Sequence, residues 1–145
     1  MLNPEAGGYR CLMKMSMDSA EGAYRILGYS DGEIRINDAR YSASLLVSPD
    51  TLVTEWGPTS LEALTSDHLQ AVSELAPEVV LLGTGAQQSF PGRELMLSLM
   101  RGGIGLEVMD TASACRTYNV LMSEGRRVVA ALILDGGELT GTQGR

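Results

Sequence analysis

The sequence is poor in the residues that build metal and nucleic-acid sites. Its 145 residues contain one histidine and two cysteines, and Cys11 and Cys115 stand too far apart for the paired spacing of a zinc site. Acidic residues outnumber basic ones by 18 to 11, and a formal net charge of −7 disfavours binding to phosphates through a basic surface. We therefore expect no metal site and no nucleic-acid partner.

Long apolar runs are absent as well. No run approaches the roughly 18 residues that a membrane-spanning helix needs, and the first residues lack the apolar core of a signal peptide. These absences predict a protein that does not insert into membranes and stays in the cytoplasm, where its cysteines would be reduced. With 44% hydrophobic and 20% charged residues, the composition is that of one globular domain with a full core.

The first half of the chain carries the alternating pattern of β-strands. Residues 11–17 alternate, and Asp31-Gly32 separates two further alternating segments. Asn37-Asp38 supplies a second turn into a segment over 40–48, and another strand is expected over 52–57. Because such dipeptides favour the positive φ angles of tight turns, the pattern predicts antiparallel hairpins.

The second half changes to a helical period. Ser66 is expected to cap a helix with Leu69, Val72 and Leu75 on one face. Three short apolar segments then predict strands over 79–83, 104–109 and 127–134. Two helices separate these strands, one from about Pro91 to Gly102 with Leu95, Met96, Leu99 and Met100 on its apolar face, the other over 111–124. This succession predicts parallel strands joined by right-handed crossovers.

The predicted fold is therefore of the α/β class. An antiparallel, β-rich N-terminal half continues without a linker into a parallel βαβαβ C-terminal half. We expect one domain over residues 9–135, with flexible segments over 1–8 and 136–145.

Cys115 is predicted to be structural. A helix that begins at Thr111 places Cys115 on an apolar arc with Tyr118 and Leu121, turned toward the sheet. A cysteine in such surroundings packs as a small hydrophobe. A nucleophile also needs an adjacent base, and the single histidine, His68, lies on a different predicted helix. The sequence therefore predicts no catalytic residues.

Two loops at the carboxyl ends of parallel strands form a candidate ligand or partner crevice. Gly83-Thr84-Gly85 follows a buried strand and precedes a helix, a position where backbone N–H groups bind anions. The third glycine of a dinucleotide motif and the Gly-Lys of a P-loop are both missing, so no cofactor is predicted. The crevice between loops 83–88 and 109–111 would be lined by Gly83, Thr84, Gly85, Gln87, Asp110, Thr111, Arg116 and Asn119.

The polar residues of the second loop have different expected roles. Asp110 stands at a helix N-cap position, where its carboxylate accepts from the first turn. Arg116 and Asn119 fall outside the apolar arc, so they are either solvated or line the crevice. Glu107, on an otherwise apolar strand, is interpreted as an edge-strand or salt-bridged carboxylate. Arg116 is the best single candidate for contact with a ligand or partner.

Three segments, residues 28–50, 81–91 and 103–133, together resemble the Mth-type domains. This small α/β family of unknown function includes the animal mitochondrial assembly factor three for NADH:ubiquinone oxidoreductase (complex I) and an adipogenesis-associated protein. The string from Met109 through Asp110, Thr111, Cys115 and Arg116 is its most specific part. The resemblance implies a three-layer fold around a central mixed sheet and no established reaction.

Two functions are carried forward. The leading hypothesis is a non-catalytic binding or assembly protein that acts through protein contacts, on a respiratory or other multi-subunit complex. The alternative is a small-molecule or anion binder, or an enzyme, that uses the crevice between the two loops. The partner is unidentified, and a homo-oligomer is compatible with the sequence.

Overall fold

In the computed structural model, which describes residues 13–16, 23–30 and 32–134, nine strands and three helices follow one another along the chain. The strands are β1 (Met13–Ser16), β2 (Ile26–Ser30), β3 (Glu33–Ile36), β4 (Ala39–Tyr41), β5 (Leu45–Val47), β6 (Thr51–Thr54), β7 (Val79–Gly83), β8 (Gly105–Met109) and β9 (Val128–Leu132). The helices are α1 (Ser66–Ser73), α2 (Arg93–Arg101) and α3 (Thr111–Ser123). The predicted flexible segments over 1–8 and 136–145 lie outside the described residues.

A six-stranded mixed sheet forms the centre of the fold, in the order β1-β6-β5-β9-β7-β8. Strands β9, β7 and β8 run parallel, whereas β5, β6 and β1 are antiparallel to their neighbours. Every residue of β7 and β9 is buried, as expected of strands covered on both faces. The predicted α/β class, the parallel βαβαβ half and the mixed sheet are confirmed.

One face of this sheet is covered by α3 and by a second sheet. Strands β2, β3 and β4 form this three-stranded antiparallel sheet. Ile26, Ile34 and Ile36 pack with Tyr118 of α3 against the inner residues of the central sheet. The hydroxyl of Tyr118 donates to the carbonyl of Tyr24 at 2.8 Å, which satisfies the polar end of a fully buried ring.

Helices α1 and α2 cover the other face. Leu69 and Val72 of α1 and Leu99 of α2 pack against central-sheet residues that point away from α3. Trp56 joins the same cluster, and its indole N–H donates to the carbonyl of His68 at 3.0 Å. The central sheet therefore lies between two layers, which agrees with the three-layer arrangement implied by the family resemblance.

The two predicted hairpins are present. Ser30 pairs with Glu33 and Ile36 pairs with Ala39, so each turn contains two residues. Gly32 and Asn37 adopt φ angles of 73° and 52°, the left-handed conformation that these turns require.

The single strand predicted over 40–48 is wrong, because the chain changes sheets within it. Strand β4 ends at Tyr41 in the three-stranded sheet, and β5 begins at Leu45 in the central sheet. Ser44 fixes the crossing point: its buried hydroxyl accepts from the backbone N–H of Leu134 at 2.8 Å. An alternating pattern identifies extended chain, but it does not show which sheet the chain joins.

Some helix details also differ from the sequence predictions. Thr65, not Ser66, is the N-cap of α1, and it forms a capping box with the side chain of His68. The second predicted helix begins at Arg93 rather than near Pro91. Met100, expected on the apolar inner face of that helix, is 56% exposed.

Candidate functional site

The two loops of the predicted crevice are hydrogen-bonded to each other. The backbone N–H of Thr84 donates to the carbonyl of Met109 at 2.9 Å, and that of Thr111 donates to the carbonyl of Gly85 at 2.9 Å. The N–H of Gly85 donates to the hydroxyl of Thr111 at 2.8 Å. This hydroxyl, which is fully buried, donates in turn to the carbonyl of Ile133 at 3.0 Å.

The remaining loop contacts are equally local. The Thr84 hydroxyl donates to the carbonyl of Gln87 at 2.6 Å and accepts from the N–H of Ser89 at 3.2 Å. A Cβ atom at Gly83 would lie 3.0 Å from both Leu132 and Thr111, so glycine is needed for the loops to meet. The N–H groups of Thr84 and Gly85, which an anion would use, are already paired. Gln87 is exposed.

Asp110 is the N-cap of α3, as the sequence predicts. Its carboxylate accepts from the backbone N–H of Ser113 at 2.7 Å. That hydrogen bond is the main cause that holds the pKa of Asp110 below its usual value, with a smaller contribution from the charge of Arg116. Asp110 thus begins the helix on which Cys115, Arg116 and Asn119 lie.

Asn119 links α3 to β2, at the border between the helix and the second sheet. Its Oδ1 accepts from the backbone N–H of Ile26 at 3.1 Å, and its Nδ2 donates to the carbonyl of the same residue at 2.6 Å. The side-chain amide therefore pairs both polar groups of one strand residue. The sequence left Asn119 either solvated or lining the crevice. Its angle on the helical wheel does not show that a second sheet lies beside α3, so these two hydrogen bonds were not predicted.

Cys115 is structural, as predicted. It is 5% exposed, and burial raises the pKa of its thiol to about 12. His68 belongs to the apolar layer on the other face of the central sheet, where its ring meets Trp56 edge-on. The two residues are not brought together, and a thiolate with an adjacent base is not formed.

Arg116 is exposed on the outer side of α3. Its guanidinium donates to the hydroxyl of Ser113 at 3.1 Å. Within the described part of the chain, Arg116 forms no salt bridge, although its charge acts on the carboxylate of Asp110. Glu107, interpreted from the sequence as an edge-strand or salt-bridged carboxylate, is exposed on β8, the edge strand of the central sheet.

A shallow depression of about 180 Å3 lies between Arg116 and the three-stranded sheet. It is lined by Ile26, Leu27, Gly28, Tyr29, Ala112, Cys115, Arg116 and Asn119. Leu27 lies at a β-bulge, where the register of β2 with β3 shifts, and it is 50% exposed. Val120, one turn beyond Arg116 on α3, is 54% exposed. We call the depression together with Val120 the Arg116 surface.

Leu27 and Val120 were missed by sequence reasoning. In β2 the residue that follows inward-facing Ile26 must point outward, so the signal for Leu27 is an apolar residue at an outward position. The signal for Val120 is an apolar residue outside the buried arc of α3. Single exposed apolar residues are common on protein surfaces. What distinguishes this pair is its position on two neighbouring elements beside an exposed arginine.

Two other depressions are larger, and neither adjoins the predicted loops. One, of about 460 Å3, is lined by residues of 42–44, 55–59 and Leu134; the other, of about 270 Å3, lies near Asp50, Pro77 and Arg127. In the described ranges no cluster of three His, Cys, Asp or Glu side chains is placed to hold a metal ion. Nor does any helix in those ranges have the length and apolarity to cross a bilayer.

The architecture defines a small α/β domain whose central sheet joins a parallel βαβαβ unit to antiparallel strands. A family model described as "Protein of unknown function (DUF498/DUF598)" matches residues 26–133, and the chain belongs to this family. The solution structure of a Bordetella pertussis protein described as a Mth938-like domain is similar, with a TM-score of 0.71 and 36% sequence identity. The match covers 86% of this chain and 94% of that one, which confirms the resemblance to Mth-type domains.

Two relatives carry different names. A Rattus norvegicus protein named NADH dehydrogenase (ubiquinone) 1 alpha subcomplex assembly factor 3 is 32% identical over 118 residues, which cover 80% of this chain. The match spans 63% of that relative's own length. A Francisella tularensis protein named "13 kDa major membrane protein" is 30% identical over 107 residues, covering 72% of this chain and 86% of the relative.

Proposed function

We propose that this protein is a non-catalytic binding or assembly protein, and that it contacts a protein partner through the Arg116 surface. The observation that carries the proposal is the combination of exposed Leu27 and Val120 with the exposed guanidinium of Arg116, which forms no salt bridge within the described residues. Arginine is enriched where proteins bind one another and among the residues that contribute most to binding. The name of the rat relative, an assembly factor, supports the same class of function.

The chemistry of the predicted crevice favours binding over catalysis. The thiol of Cys115 is buried and its pKa is raised, so it is protonated at neutral pH and poorly nucleophilic. The N–H groups that would bind an anion or stabilise an oxyanion are paired between the two loops. The depression beside Arg116, at about 180 Å3, is also smaller than the roughly 300–1,000 Å3 typical of small-molecule sites.

The nature of the partner belongs to the same proposal. By analogy with the rat relative, we propose a subunit of a multi-subunit respiratory complex, encountered in the cytoplasm. The match spans 63% of that relative, so the analogy rests on the matching part of the relative alone. The name of the Francisella relative makes a membrane-associated complex a reasonable source of partners.

The test compares partner recovery by matched arginine variants. Full-length tagged chains carrying Arg116→Ala or Arg40→Ala would be expressed in the native organism, and co-purifying proteins would be quantified by mass spectrometry. Arg40 is exposed on β4, away from the depression, and serves as the control. We expect Arg116→Ala to lose partners that the control keeps, with little change in melting temperature because Arg116 lies outside the core.

Two outcomes would contradict the proposal. Full recovery of every partner by Arg116→Ala would mean that this surface is not used. Unfolding of the variant would instead assign Arg116 a structural role. A second variant, Val120→Asp, addresses the apolar part of the surface separately and should reduce the recovery of the same partners.

A further inference from the structure

A second apolar surface lies on the opposite face of the central sheet, along α2. Phe90, just before the helix, is 64% exposed and Met100 is 56% exposed. Met96 and Leu97 are also partly exposed. We call the following residues the α2 surface: Phe90, Arg93, Met96, Leu97, Met100 and Arg101.

Beneath α2, the apolar core is only partly covered at β8, the edge strand of the central sheet. Leu106 and Val108 of β8 point to the same side of the central sheet as α2, and both are only partly buried. In contrast, the corresponding residues of β7 and β9 are fully covered. The apolar side chains of α2 therefore stand at the border of the core, where a partner would extend an existing apolar layer.

Basic residues flank this apolar stripe. Arg93, Leu97 and Arg101 follow one another at intervals of four residues, so they share one side of the helix. Glu94, the acidic residue of α2, lies roughly 160° from Met96 at 100° per residue, on the same side of the helix as Arg101. Two arginines and one glutamate leave α2 with a net charge of +1. In the described residues no salt bridge is recorded for either arginine. A chain of net charge −7 thus carries a local positive charge at this apolar site.

The charges disfavour a second copy of the chain as the occupant. In a two-fold contact the same patch appears on both sides, so the arginines of one copy would face those of the other. Addition of a strand at the free edge of β8 is disfavoured too. The side-chain amide of Gln88 donates to the carbonyl of Val108 at 2.9 Å, and Glu107 places a charge on that strand.

One other occupant fits poorly. An anionic lipid surface would attract the two arginines but repel a protein of net charge −7. Charge complementarity therefore favours a partner that carries carboxylates.

We propose that the α2 surface binds an amphipathic helix of a partner protein whose apolar stripe is bordered by carboxylates. The flexible side chains of Met96 and Met100 can adapt to the apolar stripe of such a helix. Arg93 and Arg101, one at each end of α2, pair with its acidic borders. This contact does not involve the Arg116 surface, so either proposal can be wrong while the other holds.

The test uses a designed helical peptide rather than a natural partner. One 18-residue peptide carries a leucine stripe bordered by glutamates, and a second carries the same stripe bordered by lysines. Binding of each labelled peptide to the full chain is measured by fluorescence anisotropy at low and moderate salt. The variants are Arg93→Glu with Arg101→Glu, and as a matched control Arg35→Glu with Arg40→Glu, which makes the same charge change on the three-stranded sheet.

We expect the acidic peptide to bind at least tenfold more tightly than the basic one, and more weakly as salt rises. The α2 double variant should bind the acidic peptide at least tenfold more weakly and the basic peptide more tightly. The control double variant should leave both affinities unchanged. Absence of binding, equal binding of both peptides, or an equal loss in the control would overturn the proposal. Sedimentation with phosphatidylserine vesicles that depends on the same two arginines would overturn it in favour of a lipid surface.

Discussion

Replacing Asn119 with alanine is expected to weaken the attachment of α3 to β2, an edge strand of the three-stranded sheet. The substitution removes two hydrogen bonds, of 3.1 and 2.6 Å, to the backbone of Ile26. Each such bond contributes about 0.5–1.5 kcal/mol net, so the free energy of unfolding should fall by about 1–3 kcal/mol. For a chain of this length, that loss lowers the melting temperature by about 2–4 °C per kcal/mol.

Urea denaturation with Val120→Ala as the control provides the assay. Val120 is the next residue along α3 and is exposed, so its truncation should change stability by less than about 0.5 kcal/mol. Hydrogen exchange at the Ile26 amide should accelerate in Asn119→Ala beyond the change expected from global stability. A loss below about 0.5 kcal/mol, or unchanged exchange at Ile26, would refute the view that this amide fastens the two layers.

Three further predictions concern the core and the helix caps. Cys115→Ser should lower the free energy of unfolding by about 1–3 kcal/mol, because it buries a hydroxyl without an assured partner. In the Cys11→Ser variant Cys115 is the remaining cysteine, and rapid thiol labelling of that folded protein would contradict the burial. Asp110→Ala should cost about 0.5–2 kcal/mol in thermal unfolding, and Asp110→Asn, which can still accept the capping hydrogen bond, should recover most of it. Burial lowers the pKa of His68, whose Nδ1 accepts from the N–H of Thr65 at 3.0 Å. The stability that neutral His68 contributes is therefore complete above its unfolded pKa of about 6.5, and it is lost as pH falls through the lowered folded pKa. His68→Gln, which can still close the capping box, should flatten this pH dependence, and an unchanged profile between pH 5 and 7 would contradict the assignment.

The elements of the parallel half could be predicted from the sequence because local signals and burial agree there. The strand over 79–83 is apolar throughout and is central in the sheet. Asp110 and Gly125 mark the two ends of α3, one as its N-cap and one with a φ of 80° beyond its last turn. These signals act over a few residues, which is the range that a sequence pattern covers.

The features that the sequence did not predict depend on contacts between distant parts of the chain. Asn119 and Ile26 are 93 residues apart, and no local pattern indicates that they meet. The crossing of the chain between sheets at Ser44 depends on its hydrogen bond to Leu134, 90 residues away. In the candidate crevice, the sequence placed both loops at one edge of the sheet, but it did not show that Thr111 and Gly85 would bond to each other.

The place of β9 in the central sheet also constrains how the chain reaches its native state. Strand β9 lies between β5 and β7, so it is the element that joins the antiparallel and parallel halves. Without β9, the other strands of the central sheet would fall into two separate groups, each with an unpaired apolar edge at β5 or β7. A nascent chain that stalls before Val128 would therefore expose the apolar edges of β5 and β7, which favours association with chaperones or with other chains. The central sheet is complete only when residues 128–132 pair with residues 45–47, and non-local pairing of this kind slows folding.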